Sequence, residues 1–474
     1  MIFNSPVFVI FLVIVFALYW TPITRNGTHR NPVLLISSYV FYGWWDWRFL
    51  SLILFSSLLD FYLGLRLGAA TDQGKRKRLL IISMVVNLGV LFFFKYFNFF
   101  LGSFQDMLGV GELSWTFRII LPVGISFYTF QTMSYCIDIY RRQLEPTKDL
   151  LGFMTFVSFF PQLVAGPIER AKDLLPQIQA LRPFSHDNAV LGCKLMLIGA
   201  FKKMVVADRL APLVEAIFEN QTEFSGLFNV LGAVLFAIQI YCDFSGYSDI
   251  AVGTAKLFNV DLMSNFNRPY FALSLREFWA RWHISLSTWF RDYVYIPLGG
   301  NRGTLALHAR NLMVTFVLSG LWHGANWTFI IWGALHGGFL IVERFIGGPL
   351  KRTPTLVQWT ITMVVVLVGW VFFRAQDLAH AMEYLGHLVP NGTDLGHQLK
   401  RLMRIPEVSG FSLLATFVFT AFVLVIDKLS ISPRFVSTVD NNRFVRYATY
   451  STLVALVLLF GVFTDQAAFI YFQF

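Results

Sequence analysis

Apolar runs of roughly 15–30 residues recur along almost the whole chain, and short loops carrying Lys and Arg separate most of them. A bilayer core takes about 20 apolar residues per helix. Only structures that satisfy their own backbone hydrogen bonds can sit there, which selects helices for runs of this length. The qualifying stretches are 6–20, 32–47, 49–67, 79–101, 117–139, 189–217, 226–252, 310–342, 355–374, 409–427 and 447–463. They predict an all-α, polytopic membrane protein with roughly eleven spans. The stretch 150–168 is apolar but broken by Pro161 and Pro167, which predicts a re-entrant segment enclosed by protein or water.

Composition excludes the alternatives. The 474 residues are 56% hydrophobic and 14% charged, whereas soluble domains carry about 25% charged residues. The net charge of +10 is not gathered on a soluble basic face, which sets nucleic acid aside. It sits in loops, as anionic headgroups and the positive-inside rule require. Basic loops follow the first span (Arg25, His29, Arg30), the third (Lys75 to Arg78) and the fifth (Arg141, Arg142, Lys148). The loops around 44–48 and 102–115 are poorer in Lys and Arg. This alternation predicts an extracytoplasmic N-terminus, and Arg434, Arg443 and Arg446 before the last span predict the same side for Phe474. Met1–Asn4 has no Lys or Arg and Thr21-Pro22 is not a small-x-small site, so the first run is expected to be a retained helix. The expected organisation is one membrane domain, with N-terminal helices at 1–150, a core at 151–345 and C-terminal helices at 346–474. Cys136, Cys193 and Cys242 show no metal-ligand spacing and are expected to pack as small apolar groups.

The segment 241–335 is unusually polar for such a chain, with Asp243, Asp249, Arg268, Arg276, Glu277, Arg281, His283, Arg291, Asp292 and His323. Charged groups in hydrocarbon cost about 2.5–3.5 kcal/mol each on insertion scales, so they persist facing a cavity or one another. This marks the functional centre. His323 falls within the apolar stretch, in Ser319-Gly-Leu-Trp322-His323-Gly324-Ala-Asn326. A neutral imidazole there can take a proton from a hydroxyl or thiol. On one continuous helix, Asn326 would lie on the same side. A helix-packing role for His323 stays open on these residues alone. In Arg276-Glu277-Phe-Trp-Ala-Arg281-Trp-His283-Ile-Ser-Leu-Ser287, Glu277 and Arg281 have ion-pair spacing, and His283 and Ser287 share a face. An interfacial role for this segment is the alternative. Asp243 and Asp249, six apart, are expected to pair with Arg268, Arg276, Arg281 or Arg291 rather than to form a dyad. His336 reads as packing or support, and Gly299-Gly300-Asn301-Arg302 lacks phosphate-loop spacing.

Four motifs together resemble the membrane-bound O-acyltransferase (MBOAT) family: Asn265-Phe-Asn-Arg-Pro-Tyr270, Glu277-Phe-Trp-Ala-Arg-Trp-His-Ile-Ser-Leu-Ser-Thr-Trp289, Arg291-Asp-Tyr-Val-Tyr-Ile-Pro-Leu-Gly-Gly-Asn-Arg302 and Gly320-Leu-Trp-His-Gly-Ala-Asn326. Leu121-Pro-Val-Gly-Ile-Ser-Phe-Tyr128, Ala165-Gly-Pro167, Asp243-Phe-Ser-Gly-Tyr-Ser-Asp249 and both chain ends extend the likeness to the branch that O-acetylates bacterial polysaccharides such as alginate. Ala280 departs from it, standing where relatives often carry Arg. The resemblance implies helices around a central tunnel, His323 as the essential histidine and His283 as the second characteristic one. Trp322, Asn326, Ser287, Arg281 and Asp243 would line the path. It also implies a cytoplasmic acyl thioester donor, with acetyl-CoA the expected one, no bound cofactor or metal, and residence in the bacterial inner membrane among its lipids. The expected partners are an extracytoplasmic SGNH-type acetyltransferase and the polysaccharide synthesis machinery. D-alanyl or other acyl transfer, a donor transporter and an assembly scaffold are the competing readings.

Overall fold

The structure, a computed structural model, describes residues 1–21, 30–109, 119–164, 166–224, 226–388, 395–404, 410–430, 432, 438–439, 441–463 and 469–472. Arg25, His29, Ala165, Arg434 and Phe474, all used above, lie outside the described residues. Among the described residues all regular structure is helical. The helices are α1 Pro6–Tyr19, α2 Arg30–Asp46, α3 Leu50–Ala69, α4 Gln73–Leu91, α5 Phe97–Leu108, α6 Ile125–Tyr140, α7 Leu150–Ser158, α8 Ala171–Gln179, α9 His186–Ala200, α10 Asp208–Glu219 and α11 Leu227–Leu257. They continue as α12 Leu275–Arg281, α13 Ile284–Phe290, α14 Leu305–His323, α15 Trp327–Leu350, α16 Thr355–Arg374, α17 Leu378–Gly386, α18 Leu395–Leu402, α19 Gly410–Leu429 and a last helix, Arg443–Phe460.

Seven helical runs among the described residues are long and apolar enough to cross a membrane: Arg30–Ala69, Gln73–Leu108, Leu227–Leu257, Leu305–His323, Trp327–Gly348, Thr355–Arg374 and Arg443–Phe460. The other expected stretches are helical too: 409–427 is the 20-residue α19, and the rest are shorter or interrupted. α1 has 14 residues and α6 has 16. A π-helical turn at Phe201–Ala207 separates α9 from α10. The expected single span 310–342 is two helices, α14 and α15, with Gly324, Ala325 and Asn326 between them. Glycines explain why the pair can pack closely. A Cβ on Gly320 would collide with the Phe329 carbonyl, and one on Gly333 with the Phe316 carbonyl.

The chain forms two compact units. The first comprises residues 1–196 and 250–263. Inside it, α3, α4 and α6 meet around a buried polar cluster: Ser83 Oγ donates to Asp60 Oδ1 at 2.6 Å and Asn87 Nδ2 to Asp60 Oδ2 at 2.7 Å. The broken stretch after α7 lies in this unit. α7 ends at Ser158, and the irregular backbone beyond it is covered, with Phe159, Phe160 and Leu163 buried. Gln131 and Gln162 both donate to the Phe156 carbonyl at 2.9 Å, satisfying an acceptor in the last turn of α7 that the helix leaves without a donor. The second unit comprises residues 197–249 and 264–474 and contains every candidate site residue. Its core includes Phe236, Trp282, Trp332, Trp370 and Phe373.

Candidate active site

His323 is the last residue of α14, and Gly324 turns extended behind it. The imidazole is therefore held at a helix end rather than mid-helix. It is 3% exposed. Trp322, Trp332, Phe373 and Tyr471 surround it, with ring centroids 5.0–5.5 Å away. His283 lies on the same cage, its ring 6.2 Å from His323, 4.7 Å from Phe244 and 6.1 Å from Tyr471. Two histidines forty residues apart in sequence thus share one buried aromatic cluster.

The local sequence explains how His283 gets there. It caps α13 with a left-handed backbone, φ 42° and ψ 55°, a conformation costly for a residue with a Cβ. Asn265 fixes the turn: its carbonyl accepts from Ile284 N at 3.0 Å, and its Oδ1 from Ser285 Oγ at 2.6 Å. Two of the four motifs that carry the resemblance meet at this clamp. Neither ring nitrogen of His283 has a hydrogen-bond partner among the described residues. Burial pushes the imidazole down to about 3, so it is neutral at working pH.

Tyr471 is the residue that sequence reasoning missed. Its ring packs on His323, His283, Phe244 and Phe373. Its hydroxyl is buried with no partner among the described residues. Asp243 holds this segment in place: Ile470 N donates to Asp243 Oδ2 at 2.8 Å. Asp243 Oδ1 in turn meets Lys203 Nζ at 2.6 Å, and Lys203 also meets Asp208 at 2.8 Å. Lys202 pairs with Asp249 at 2.8 Å. The expected arginine partners of both aspartates are thus replaced by two lysines on the π-helical turn, an element that leaves no period-3.6 signal to read. Asp243 anchors the segment next to the chamber rather than lining a path.

The remaining expected site residues divide. Trp322 adjoins both histidines. Asn326 does not continue the His323 helix. Its Oδ1 accepts from Thr328 N at 3.0 Å and its Nδ2 donates to the Gln376 carbonyl at 2.8 Å, so it fixes the α14–α15 corner. Arg281 pairs with Glu277 as its spacing predicts, at 2.5 Å. His336, on α15, packs against Trp332 and Trp279. Cys136 and Cys242 are buried as expected, but Cys193 is exposed.

Ser287 lines a cavity of about 340 Å³ together with Trp279, Ala280, Arg291, Thr315 and Ser319. Ser319 is four residues before His323 on α14. Trp279 at the cavity wall packs on Trp332 at 5.5 Å, and Trp332 packs on His323 at 5.0 Å. These two indoles stand between the cavity and the imidazole.

Comparison with known proteins adds the context. The profile of MBOAT, the membrane-bound O-acyltransferase family, matches residues 39–380. The probable alginate O-acetylase AlgI of Pseudomonas aeruginosa is 44% identical over 399 residues, 83% of this chain and 76% of that protein. The peptidoglycan O-acetyltransferase of Helicobacter pylori is 32% identical over 100% of this chain and 98% of its own length. The teichoic acid D-alanyltransferase of Bacillus subtilis is 26% identical over 56% of this chain and 71% of its own.

Proposed function

The chain belongs to the membrane-bound O-acyltransferase family, and from that premise we propose that it takes an acetyl group from a cytoplasmic thioester donor and passes it across the bilayer for O-acetylation of an extracytoplasmic polysaccharide, with His323 as the proton acceptor. It is a multi-pass membrane protein and an O-acyltransferase; the donor, the direction and the role of His323 are this proposal's content. The observation that carries it is the buried aromatic cluster in which His323 and His283 lie side by side.

Acyl transfer to a hydroxyl needs a base for the hydroxyl proton and something to steady the negative charge that grows on the carbonyl oxygen. In the proposed scheme His323 takes the proton as the hydroxyl oxygen bonds to the thioester carbonyl carbon and returns it to the thiolate that leaves as the carbon–sulfur bond breaks, while neutral His283 with the Tyr471 hydroxyl supports the reacting groups away from bulk water. Electrostatic support of that kind acts more strongly where water is excluded. The cavity beside Ser287 and Ser319 would admit the donor, acetyl-CoA or an equivalent thioester. An extracytoplasmic acetyltransferase partner would carry the group onward to the polymer, alginate or peptidoglycan being the materials for which the more similar relatives are named. The inner membrane, with both termini outside, is the matching location. D-alanine as the acyl group is the second reading, favoured by the weaker match to teichoic acid D-alanyltransferases. The transporter and scaffold readings give way to the family assignment.

The test is complementation of a strain lacking this gene. His323→Ala should reach the membrane at wild-type level and lose polymer acetylation by about 10²–10⁴-fold in rate, the usual worth of a positioned base. Normal acetylation with that variant would remove His323 from the chemistry.

A further inference from the structure

A second cavity, of about 360 Å³, opens at the far end of α15, lined by Ser274, Arg276, Glu277, Glu343, Arg344 and Lys351 among others. Its acidic members are engaged. Glu277 Oε1 pairs with Arg281 and its Oε2 accepts from Leu273 N at 2.7 Å. Glu343 Oε2 accepts from Leu275 N at 2.7 Å. Its cationic members are not: the side chains of Arg276, Arg344 and Lys351 have no ion-pair or hydrogen-bond partner among the described residues. Arg276 and Arg344 converge closely enough that both act on the Tyr295 phenol. Gly347 and Gly348 line the same cavity, and a Cβ on either would meet nothing, so a ligand can approach the α15 backbone there.

One of the two carboxylates is ion-paired with Arg281 and the other accepts a backbone N–H, while three cations on the rim have no ion-pair partner among the described residues, so the lining carries a net positive charge suited to an anion. Guanidinium forks match the paired oxygens of phosphate better than any other common side chain. The location fits. At 1.5 Å rise per residue, Arg344 lies roughly 25 Å along α15 from Trp327, the end that adjoins His323. Lys351 and Arg352 add positive charge at this end of α15, as the positive-inside rule expects of a cytoplasmic end.

We propose that this cavity binds a phosphate-bearing anion, with Arg276, Arg344 and Lys351 as its cationic rim. The phosphate has two possible sources, a thioester donor of the coenzyme A type or an anionic phospholipid headgroup. The donor source rests on the proposed function; the lipid source does not.

The experiment measures binding rather than turnover, so it stays readable if acyl transfer is absent. Purified full-length protein in neutral detergent is titrated with coenzyme A and with phosphate-free pantetheine. Separately, its melting temperature is compared in phosphatidylcholine nanodiscs with and without phosphatidylglycerol. The same series is run on Arg276→Gln/Arg344→Gln, both positions being exposed. For a donor site, coenzyme A binds wild type about ten-fold or more tighter than pantetheine, the difference shrinks as salt rises, and the double variant abolishes it. For a lipid site, phosphatidylglycerol raises the wild-type melting temperature and leaves that of the variant unchanged. The proposal is overturned if neither coenzyme A nor phosphatidylglycerol distinguishes wild type from the double variant. Lys351→Gln, on the same rim, supplies an independent arm should the double variant fail to purify.

Discussion

His283 and Tyr471 each place buried polar atoms without a hydrogen-bond partner among the described residues beside His323. The folded-state value of His283, about 3, lies below the unfolded value of about 6.5. Its contribution to stability is therefore complete above about pH 6.5 and is lost as the pH falls toward 3. His283→Gln is expected to flatten the acid side of the melting-temperature profile, which a pH series on purified protein checks. Tyr471 carries a buried hydroxyl without a partner among the described residues, and such a group usually costs stability. Tyr471→Phe should leave the melting temperature unchanged or raised while acyl transfer drops, separating a working hydroxyl from a packing ring. The histidines themselves were legible in the sequence, because polar residues in hydrocarbon demand a reason. Tyr471 was not, since one tyrosine in a chain with 17 of them gives no signal until a backbone bond places it.

At the scale of elements, the corner between α14 and α15 positions the imidazole. Hydropathy ran straight through 310–342 because Gly324, Ala325 and Asn326 are too few and too mild to interrupt an apolar average. The break shows only in cap geometry, with Asn326 closing the start of α15. Gly320→Ala would push a methyl group into the Phe329 carbonyl. Overpacking of this kind costs about 1–3 kcal/mol, so that variant should melt earlier, with transfer falling alongside. The π-helical turn at Phe201–Ala207 is the second such element. It supplies Lys203 to Asp243 and Asp208 in a site where all three are at most 4% exposed. Asp243→Ala removes one partner of a buried pair and the acceptor for Ile470 N. It should cost about 3–5 kcal/mol and loosen the Tyr471 segment, seen as faster hydrogen exchange at Ile470. The pairing could not be read from spacing, because Lys203 and Asp243 are forty residues apart on different helices.

Across the whole molecule, the class of fold followed directly from the length of the apolar runs, which few architectures other than a helical membrane protein accommodate. The family followed from long motifs, and those motifs turn out to build one physical object: Asn265 clamps the His283 turn, Glu277 pairs with Arg281, and Gly320 lets α15 close on α14. The wall between the Ser287 cavity and the imidazole was not legible, since it depends on the edge-to-face packing of Trp279 and Trp332 rather than on which residues are present. The most direct measurement is label transfer by the purified protein in liposomes. An acetyl thioester carrying labelled acetyl is supplied with a hydroxyl acceptor, to wild type and to His323→Ala of matched melting temperature. Wild type should move label to the acceptor and the variant should fall to background. Equal transfer by both would contradict the account.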